Sequence, residues 1–149
     1  MEIAVPRSGW EEVQTHLDEL EFRVADDGRL WLLDQGNLDR TFQTWGLDDQ
    51  GIARVDVFRE PHEGETRICR RHEAIRRSYA TVLVLTGSGI PYRAPEIVLL
   101  FKAKNDRDKD RHDLQAALPL MDAERRAWLG ASLRFVLPGH PWLRDLQLG

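Results

Sequence analysis

The sequence is poor in cysteine and contains no long apolar run. Cys69 is the only cysteine in 149 residues, so a disulfide within these residues and a cysteine-based zinc site are both excluded. No segment has the uninterrupted apolar length of a membrane span, and the first residues are not a basic region followed by an apolar one. We therefore expect no membrane partner, a cytoplasmic location, and a core position for Cys69.

An excess of basic residues is also absent. The chain has 21 lysines and arginines against 25 aspartates and glutamates, which gives a net charge of -4. Proteins that bind nucleic acid nonspecifically neutralise its phosphates with a clear excess of positive charge. We therefore expect no nucleic-acid partner.

Several motifs of common enzymes are missing as well. The chain has neither a Gly-x-Ser-x-Gly elbow nor a Walker phosphate loop, and TGSG at 86–89 predicts a turn. His62 and His112 each lack a second histidine at the spacing that zinc sites use. These absences leave carboxylates, lysines and arginines as the candidates for chemistry.

The first part of the chain, residues 1–93, is predicted to be rich in strands. The opening stretch EIAVP alternates β-branched residues with others, which predicts a strand. Residues 8–20 then repeat apolar side chains every three or four positions. This spacing predicts an amphipathic helix, with Ser8 and Glu11 as its capping box.

Two hairpins are predicted after this helix. Asp27-Gly28 supplies the positive φ that a two-residue turn needs, and DDQG at 48–51 predicts a second turn. Aromatic and β-branched residues alternate on both sides of these turns. The predicted strands are FRVA, RLWLL, RTFQTWGL, IARVDVFRE, TRICR and YATVLVLTG.

From residue 94 onward the pattern changes to helices. APEIVLLFKAK has Pro95 in a first-turn position and apolar residues on nearly every side, which predicts a buried helix. Two more helices are predicted in RDKDRHDLQAAL and in DAERRAWLGASLRFVL, the second capped by Asp122. We expect Pro138-Gly139 to end the last helix and Trp142 to dock on the others.

The length and the order of elements predict one α+β domain over residues 1–149. Its sheet-rich part is 1–93, and a C-terminal helical part follows at 94–149.

Asp56 is a carboxylate inside a predicted strand. In ARVDVFRE it shares one face with Arg54 and Phe58, and the two valines face the other way. Glu2 is a second carboxylate flanked by apolar strand residues. Two acids on adjacent strands could hold Mg²⁺, which prefers a few carboxylate oxygens together with substrate phosphates. From the residues alone, surface ion pairs are the favoured interpretation of both acids.

Two groups of basic residues are candidates for binding an anion. Lys102 and Lys109 lie in predicted helices, where either could reach a triphosphate. The simpler interpretation is a solvated helix face with ion pairs, such as Lys109 with Asp113 one turn away. An arginine group could clamp phosphate, although scattered exposed arginines are the simpler interpretation. This group comprises Arg67, Arg70, Arg71, Arg76 and Arg77.

Three motifs follow one another in the second half of the chain: P-E-I-V-L-L-x-K-A, K-D-x-x-D and P-G-H-P-W. The first half contributes EIAVPR, RVDVFRE and ICRRHEAIR. In this order and spacing, the chain resembles the small bacterial nucleotidyltransferases related to aminoglycoside and lincosamide adenylyltransferases. The resemblance extends over nearly the whole chain.

The resemblance implies a nucleotidyltransferase-like mixed sheet and the transfer of a nucleoside monophosphate from ATP or another NTP to a hydroxyl of a small acceptor. In that family an acidic pair lies two residues apart on one strand, and a third acid lies on a neighbouring strand. Glu2 matches the second acid and Asp56 the third, which implies that both bind Mg²⁺ and that Asp56 also acts as base. The basic residues proposed to bind the nucleotide phosphates are Lys109, Lys102, Arg70 and Arg71.

The resemblance is incomplete at the start of the chain. The first acid of the pair would fall one position before Met1, and the family's Gly-Gly turn and its helix are not in the sequence. Without them we expect several kcal/mol less transition-state stabilisation from each missing group. Two expectations stay open: the chain is an inactive remnant, or its start is assigned too late and the true protein is longer.

A non-catalytic protein on the same scaffold is the alternative. The missing strand and helix would leave a sheet edge or an apolar face open to another chain. This alternative predicts an interaction protein or a homodimer.

Overall fold

The chain is an α+β protein, as the sequence predicts. A computed structural model describes residues 1–146, and for residues 35–37 it describes the backbone alone. The chain divides into two compact units, with the boundary between Arg76 and Arg77. The second unit therefore contains two short strands, at 83–85 and 91–93, in addition to helices.

The strands are β1 (Glu2–Pro6), β2 (Glu21–Asp26), β3 (Arg29–Leu32), β4 (Gln43–Leu47), β5 (Ala53–Glu60), β6 (His62–Glu63), β7 (Thr66–Cys69), β8 (His72–Ser78), β9 (Leu83–Leu85) and β10 (Pro91–Arg93). The helices are α1 (Trp10–His16), α2 (Gln35–Arg40), α3 (Tyr79–Val82), α4 (Pro95–Lys102), α5 (Asp108–Ala117), α6 (Ala123–Val136) and α7 (Trp142–Asp145). Short 3-10 helices span Arg7–Gly9 and Leu118–Leu120.

The main sheet of the first unit has the strand order β1-β5-β4-β2-β3. β1 runs parallel to β5, and the other neighbours are antiparallel, so the sheet is mixed. Both predicted hairpins are confirmed. Asp27 and Gly28 have φ of 48° and 69°, the positive values that a two-residue turn between β2 and β3 requires.

The first helix is shorter than predicted. Ser8 lies inside a 3-10 turn, and its N–H donates to Nε2 of His62, so it does not cap the helix. Gly9 is the N-cap and makes no side-chain hydrogen bond, so the predicted capping box with Glu11 is wrong. At the other end Leu17 leaves helical dihedral angles, with φ of -125° and ψ of 43°.

α1 covers one face of the main sheet. Trp10 of this helix meets Phe22 edge to face, with ring centroids 5.0 Å apart, above Val55 and Val57 of β5. Burial of each such side chain contributes about 1.5–3 kcal/mol to stability. Because strand side chains alternate, the apolar face fixes which residues of β1 and β5 point to the opposite face.

A smaller sheet with the order β6-β7-β8 follows. The predicted strand in TRICR is confirmed, and Cys69 at its end is buried and free, as expected. Arg67 of β7 is buried against Glu60 and bonds it with two nitrogens, so it is not an exposed arginine. YATVLVLTG begins as helix rather than strand, because Ser78 caps a helical turn before β9.

The helices from residue 95 onward form where the sequence places them. Pro95 opens α4, and the side chain of Asp122 accepts the N–H of Arg125 as the cap of α6. α4 and α6 bury Ile97, Leu100, Leu129 and Leu133, and Trp142 of α7 is 1% exposed. The docking of Trp142 is therefore confirmed.

Candidate active site

Glu2 and Asp56 are direct neighbours across two parallel strands. The register of β1 and β5 pairs Glu2 with Asp56, and the N–H of Asp56 donates to the carbonyl of Met1 over 2.8 Å. Neighbouring strands lie about 4.8 Å apart, and both acids point away from the apolar face covered by α1. The two predicted metal ligands thus project from the same face of the sheet at its β1 end.

Only one of the two carboxylate oxygens of Asp56 accepts a hydrogen bond from a described residue. Gln43 Nε2 donates to its Oδ2 over 2.7 Å. Its Oδ1 is buried and has no hydrogen-bond partner among the described residues, and the same is true of Nε1 of Trp45, the residue opposite on β4. A buried carboxylate oxygen without a donor is costly unless a ligand completes it.

Burial raises the pKa of the Asp56 carboxyl above its ordinary value, and the charge of Glu2 raises it further. The hydrogen bond from Gln43, the nearby indole N–H of Trp45 and the charge of Arg70 act in the opposite direction. The indole N–H has this influence although it lies outside hydrogen-bond geometry. A raised pKa favours the form of Asp56 that has taken up a proton.

Arg70 lies on the same side of the first unit as the two acids. Its guanidinium stacks over the ring of Phe58 at 4.3 Å from the centroid, and Phe58 is two residues beyond Asp56 on β5. Arg71 is half-buried, and burial lowers the pKa of its guanidinium. The structure therefore brings together Glu2, Asp56 and Arg70.

The other arginines of the predicted group have separate partners. Arg67 pairs with Glu60 and Arg76 with Glu63. Arg77 belongs to the second unit. Arg67 and Arg76 thus form ion pairs with two different glutamates.

The two candidate lysines belong to the second unit. Lys102 at the end of α4 forms an ion pair with Asp113 of α5. The predicted pair of Lys109 with Asp113 is thus replaced by a contact between two helices, and Lys109 is exposed on α5. Asp110 is buried and accepts hydrogen bonds from Arg107, including one of 2.8 Å from Nε.

The sequence did not indicate Gln43 or Trp45 as members of the site. Both lie on β4, and the β4–β5 register sets Trp45 opposite Asp56 and Gln43 opposite Phe58, two positions further along. The alternation of β4 does predict that they share a face. Only the register shows that this face is the one that carries Asp56.

The donor set suits Mg²⁺ better than a metal that needs a closed protein cage. Among the described residues no group of three or more His, Cys, Asp or Glu side chains comes close enough to hold a metal ion. Mg²⁺ commonly uses one or two carboxylates and fills its other positions with water and substrate phosphates. The carboxylates of Glu2 and Asp56, paired on adjacent strands, are the number and type of protein ligands that this requirement names.

Within residues 1–146, no helix combines the length and the apolar character that crossing a membrane requires. Comparisons of the chain with protein-family models, with characterised proteins and with solved structures find no match.

Proposed function

We propose that this chain is a nucleotidyltransferase-like protein that transfers a nucleoside monophosphate from ATP or another NTP to a hydroxyl of a small acceptor. The observation that carries the proposal is the pairing of Glu2 with Asp56 on one face of two parallel strands. The resemblance to aminoglycoside and lincosamide adenylyltransferases is independent of this geometry. The two agree on the same two residues.

In the proposed reaction Glu2 and Asp56 would hold the magnesium ion of the nucleotide. Bound Mg²⁺ would neutralise charge on the triphosphate and favour attack at the α-phosphorus. The acceptor oxygen forms a bond to that phosphorus, the bond to the β-phosphate breaks, and pyrophosphate leaves. Asp56 takes up the proton of the acceptor hydroxyl, and its raised pKa favours this role.

Gln43 and Arg70 support this chemistry from the protein side. Gln43 donates a hydrogen bond to Oδ2 of Asp56, which restricts the orientation of the carboxylate. Arg70 stacks on Phe58 and supplies a positive charge whose effect reaches Asp56. We propose Arg70 and Arg71 as phosphate-binding residues of the first unit, and we retain Lys102 and Lys109 as candidates from the resemblance.

Calorimetric titration with ATP and other NTPs tests the proposal. We expect binding that requires Mg²⁺ and that weakens by about tenfold or more in Asp56→Ala and in Glu2→Gln. Asp49→Asn, which removes an exposed acid of the same unit, is the matched control and should bind as the wild type does. If no nucleotide binds with or without Mg²⁺ while circular dichroism shows a folded chain, the proposal fails.

A transfer assay then identifies the acceptor class. Pyrophosphate release is measured with a panel of small hydroxyl compounds that includes aminoglycosides and lincosamides. We expect release to depend on the acceptor and to be lost in Asp56→Asn. If the chain binds nucleotide but releases no pyrophosphate with any acceptor, the proposed nucleotide binding stands and the proposed transfer reaction is rejected.

A second candidate is a non-catalytic interaction protein or homodimer. β3 lies at an edge of the main sheet, and its Leu30, Trp31 and Leu32 are 43%, 46% and 70% exposed. An exposed apolar edge strand favours pairing with another chain. For either candidate we propose a cytoplasmic location, in keeping with the free thiol of Cys69.

A further inference from the structure

A second charged site lies on the other face of the main sheet. Arg7 directly follows β1, and Arg59 is the penultimate residue of β5, paired in register with Val5. Asp56 and Arg59 are three residues apart on one strand, so they project from opposite faces. The Arg7–Arg59 site is therefore separate from the two carboxylates.

Arg59 is a buried cation, 1% exposed. It donates from Nε to Thr44 Oγ1 over 2.9 Å, from Nη1 to the carbonyl of Leu38 over 2.7 Å, and from Nη2 to Thr41 Oγ1 over 2.8 Å. All three acceptors are neutral oxygens, and no carboxylate of the described residues forms an ion pair with it. Burial of a charge without an ion-pair partner is unfavourable.

Arg7 approaches the same segment of chain. Its Nη1 and Nη2 donate to the carbonyls of Asp39 and Thr41 over 3.4 and 3.3 Å, which are long contacts. Its Nε is buried and has no hydrogen-bond partner among the described residues. Two guanidiniums thus meet around residues 38–41, and each binds only neutral oxygens there.

A cavity of about 270 Å³ opens between the two arginines. Trp10 and Leu38 contribute apolar wall, and Arg59 lies 5.6 Å from the Trp10 ring. The acids at the wall, Glu11 and Asp39, are exposed residues whose charge water screens. The buried charge of the cavity is therefore positive.

Burial and the neighbouring charges affect the pKa of Arg59. Burial and the nearby charge of Arg7 lower the pKa of the Arg59 guanidinium to about 10, and Asp39 only partly opposes this. An anion between the two arginines would relieve both effects, because it would pair with the buried charge and reduce the repulsion. Guanidinium N–H groups match the oxygens of phosphate with charge-assisted hydrogen bonds.

We propose that the cavity binds a phosphate group between Arg7 and Arg59, either as inorganic phosphate or as a phosphate monoester. The unused Nε–H of Arg7 and the remaining N–H groups of Arg59 are the donors. This site does not depend on nucleotidyl transfer at Glu2 and Asp56.

Calorimetric titration with inorganic phosphate, at constant ionic strength and neutral pH, tests the proposal on the full chain. We expect saturable binding by the wild type and a loss of about tenfold or more in affinity for Arg7→Gln. Arg54→Gln removes an exposed arginine from the opposite face of β5 and is the matched control, with unchanged binding expected. Arg7 is the deciding position, because replacing the buried Arg59 risks unfolding the chain.

A parallel titration with glycerol 3-phosphate distinguishes the two sources of phosphate. Equal affinities show that the free ion suffices, and tighter binding of the monoester shows that the phosphate belongs to a larger ligand. The absence of saturable binding of either compound, or equal binding by the wild type and Arg7→Gln, would overturn the proposal.

Asp56→Asn separates this site from the proposed active site. We expect it to bind phosphate as the wild type does, and we expect Arg7→Gln to bind MgATP as the wild type does. Loss of MgATP binding in Arg7→Gln would contradict a separate site. A wild type that binds phosphate but no nucleotide would reject only the proposed function.

Discussion

Asp56 is held in a position that works against its own ionisation. It is partly buried, it faces Glu2 across the parallel strands, and one of its oxygens has no donor among the described residues. Groups with such perturbed environments cluster at functional sites, where stability is given up for chemistry. The environment of Asp56 therefore leads to a prediction about the stability of the chain.

Asp56→Asn should stabilise the chain at neutral pH by about 0.5–1 kcal/mol, because it removes a partly buried charge and its repulsion with Glu2. The folded state raises the pKa of Asp56, so the wild type loses stability as pH rises from the unfolded value toward the folded one. The gain in Asp56→Asn should consequently become small by about pH 3.5, where both states of the wild type are mostly protonated. Thermal unfolding of the wild type and Asp56→Asn at pH 7 and pH 3.5 measures this gain in stability.

The exposed Asp49→Asn is the control for this measurement, with little change expected at either pH. An equal gain for Asp56→Asn at both pH values would show that the charge of Asp56 is not its cause.

Glu96 is a buried acid that lies within ion-pair distance of two arginines. It is fully buried in α4, with Arg77 Nη2 at 3.5 Å and Arg125 Nη1 at 3.3 Å. Glu96→Gln should destabilise the chain by about 3 kcal/mol, because it leaves Arg77 without its buried partner. Urea denaturation gives the change in unfolding free energy.

Glu124→Gln is the matched control, since Glu124 lies 3.6 Å from the same arginine but its side chain is 83% exposed. Its unfolding midpoint should stay nearly unchanged, because exposed ion pairs contribute little. Similar losses in the two variants would mean that burial does not set the strength of these pairs.

At the scale of the element, β5 has a different chemistry on each of its faces. Val55 and Val57 pack into the core, and Arg59 continues this face into a cationic cavity. Asp56 projects from the other face, beside Phe58. The two-residue period of a strand is enough to separate an acidic site from a basic one.

The cap of α6 gives a prediction for an element as a whole. Asp122 accepts the N–H of Arg125 over 2.8 Å, so Asp122→Ala should cost about 1 kcal/mol of unfolding free energy. Asp122→Asn keeps a capping oxygen and loses only an exposed ion pair with Arg125, so it should retain most of the stability. Equal destabilisation by alanine and asparagine in urea titrations would assign the effect to charge instead of capping.

Caps also show how far local sequence can predict an element. Asp122 and Pro95 were predicted correctly, because a cap or first-turn proline acts on its own helix alone. Ser8 was predicted wrongly, because residues 7–9 form a 3-10 turn and the helix begins only after Gly9; the N–H of Ser8 there donates to His62 of β6, a residue remote in the chain. The extent of α1 was wrong for a related reason: apolar spacing continues beyond the point where the backbone turns at Leu17.

At the scale of the molecule, the edge strand β3 predicts self-association. No described strand pairs with its outer edge, and Leu32 there is 70% exposed. If the edge pairs with a second copy, sedimentation velocity should show a concentration-dependent dimer that Leu32→Lys abolishes, because a charged edge resists pairing.

Leu120→Lys is the control, since Leu120 is 81% exposed but lies in a 3-10 helix and not on a sheet edge. It should dimerise as the wild type does. A wild type that stays monomeric at its highest soluble concentration would reject the homodimer.

By itself the sequence determined the elements of this protein: the hairpin at Asp27-Gly28, the capped and proline-initiated helices, and an acid inside a predicted strand. Each of these depends on dihedral preferences and side-chain spacing within a few residues. Only the tertiary structure decided which charges meet. Strand register set Glu2 beside Asp56, helix contact joined Lys102 to Asp113, and Arg7 and Arg59 converged on one segment. Such contacts join distant parts of the chain. A local sequence pattern cannot predict them, because they arise from the packing of whole elements.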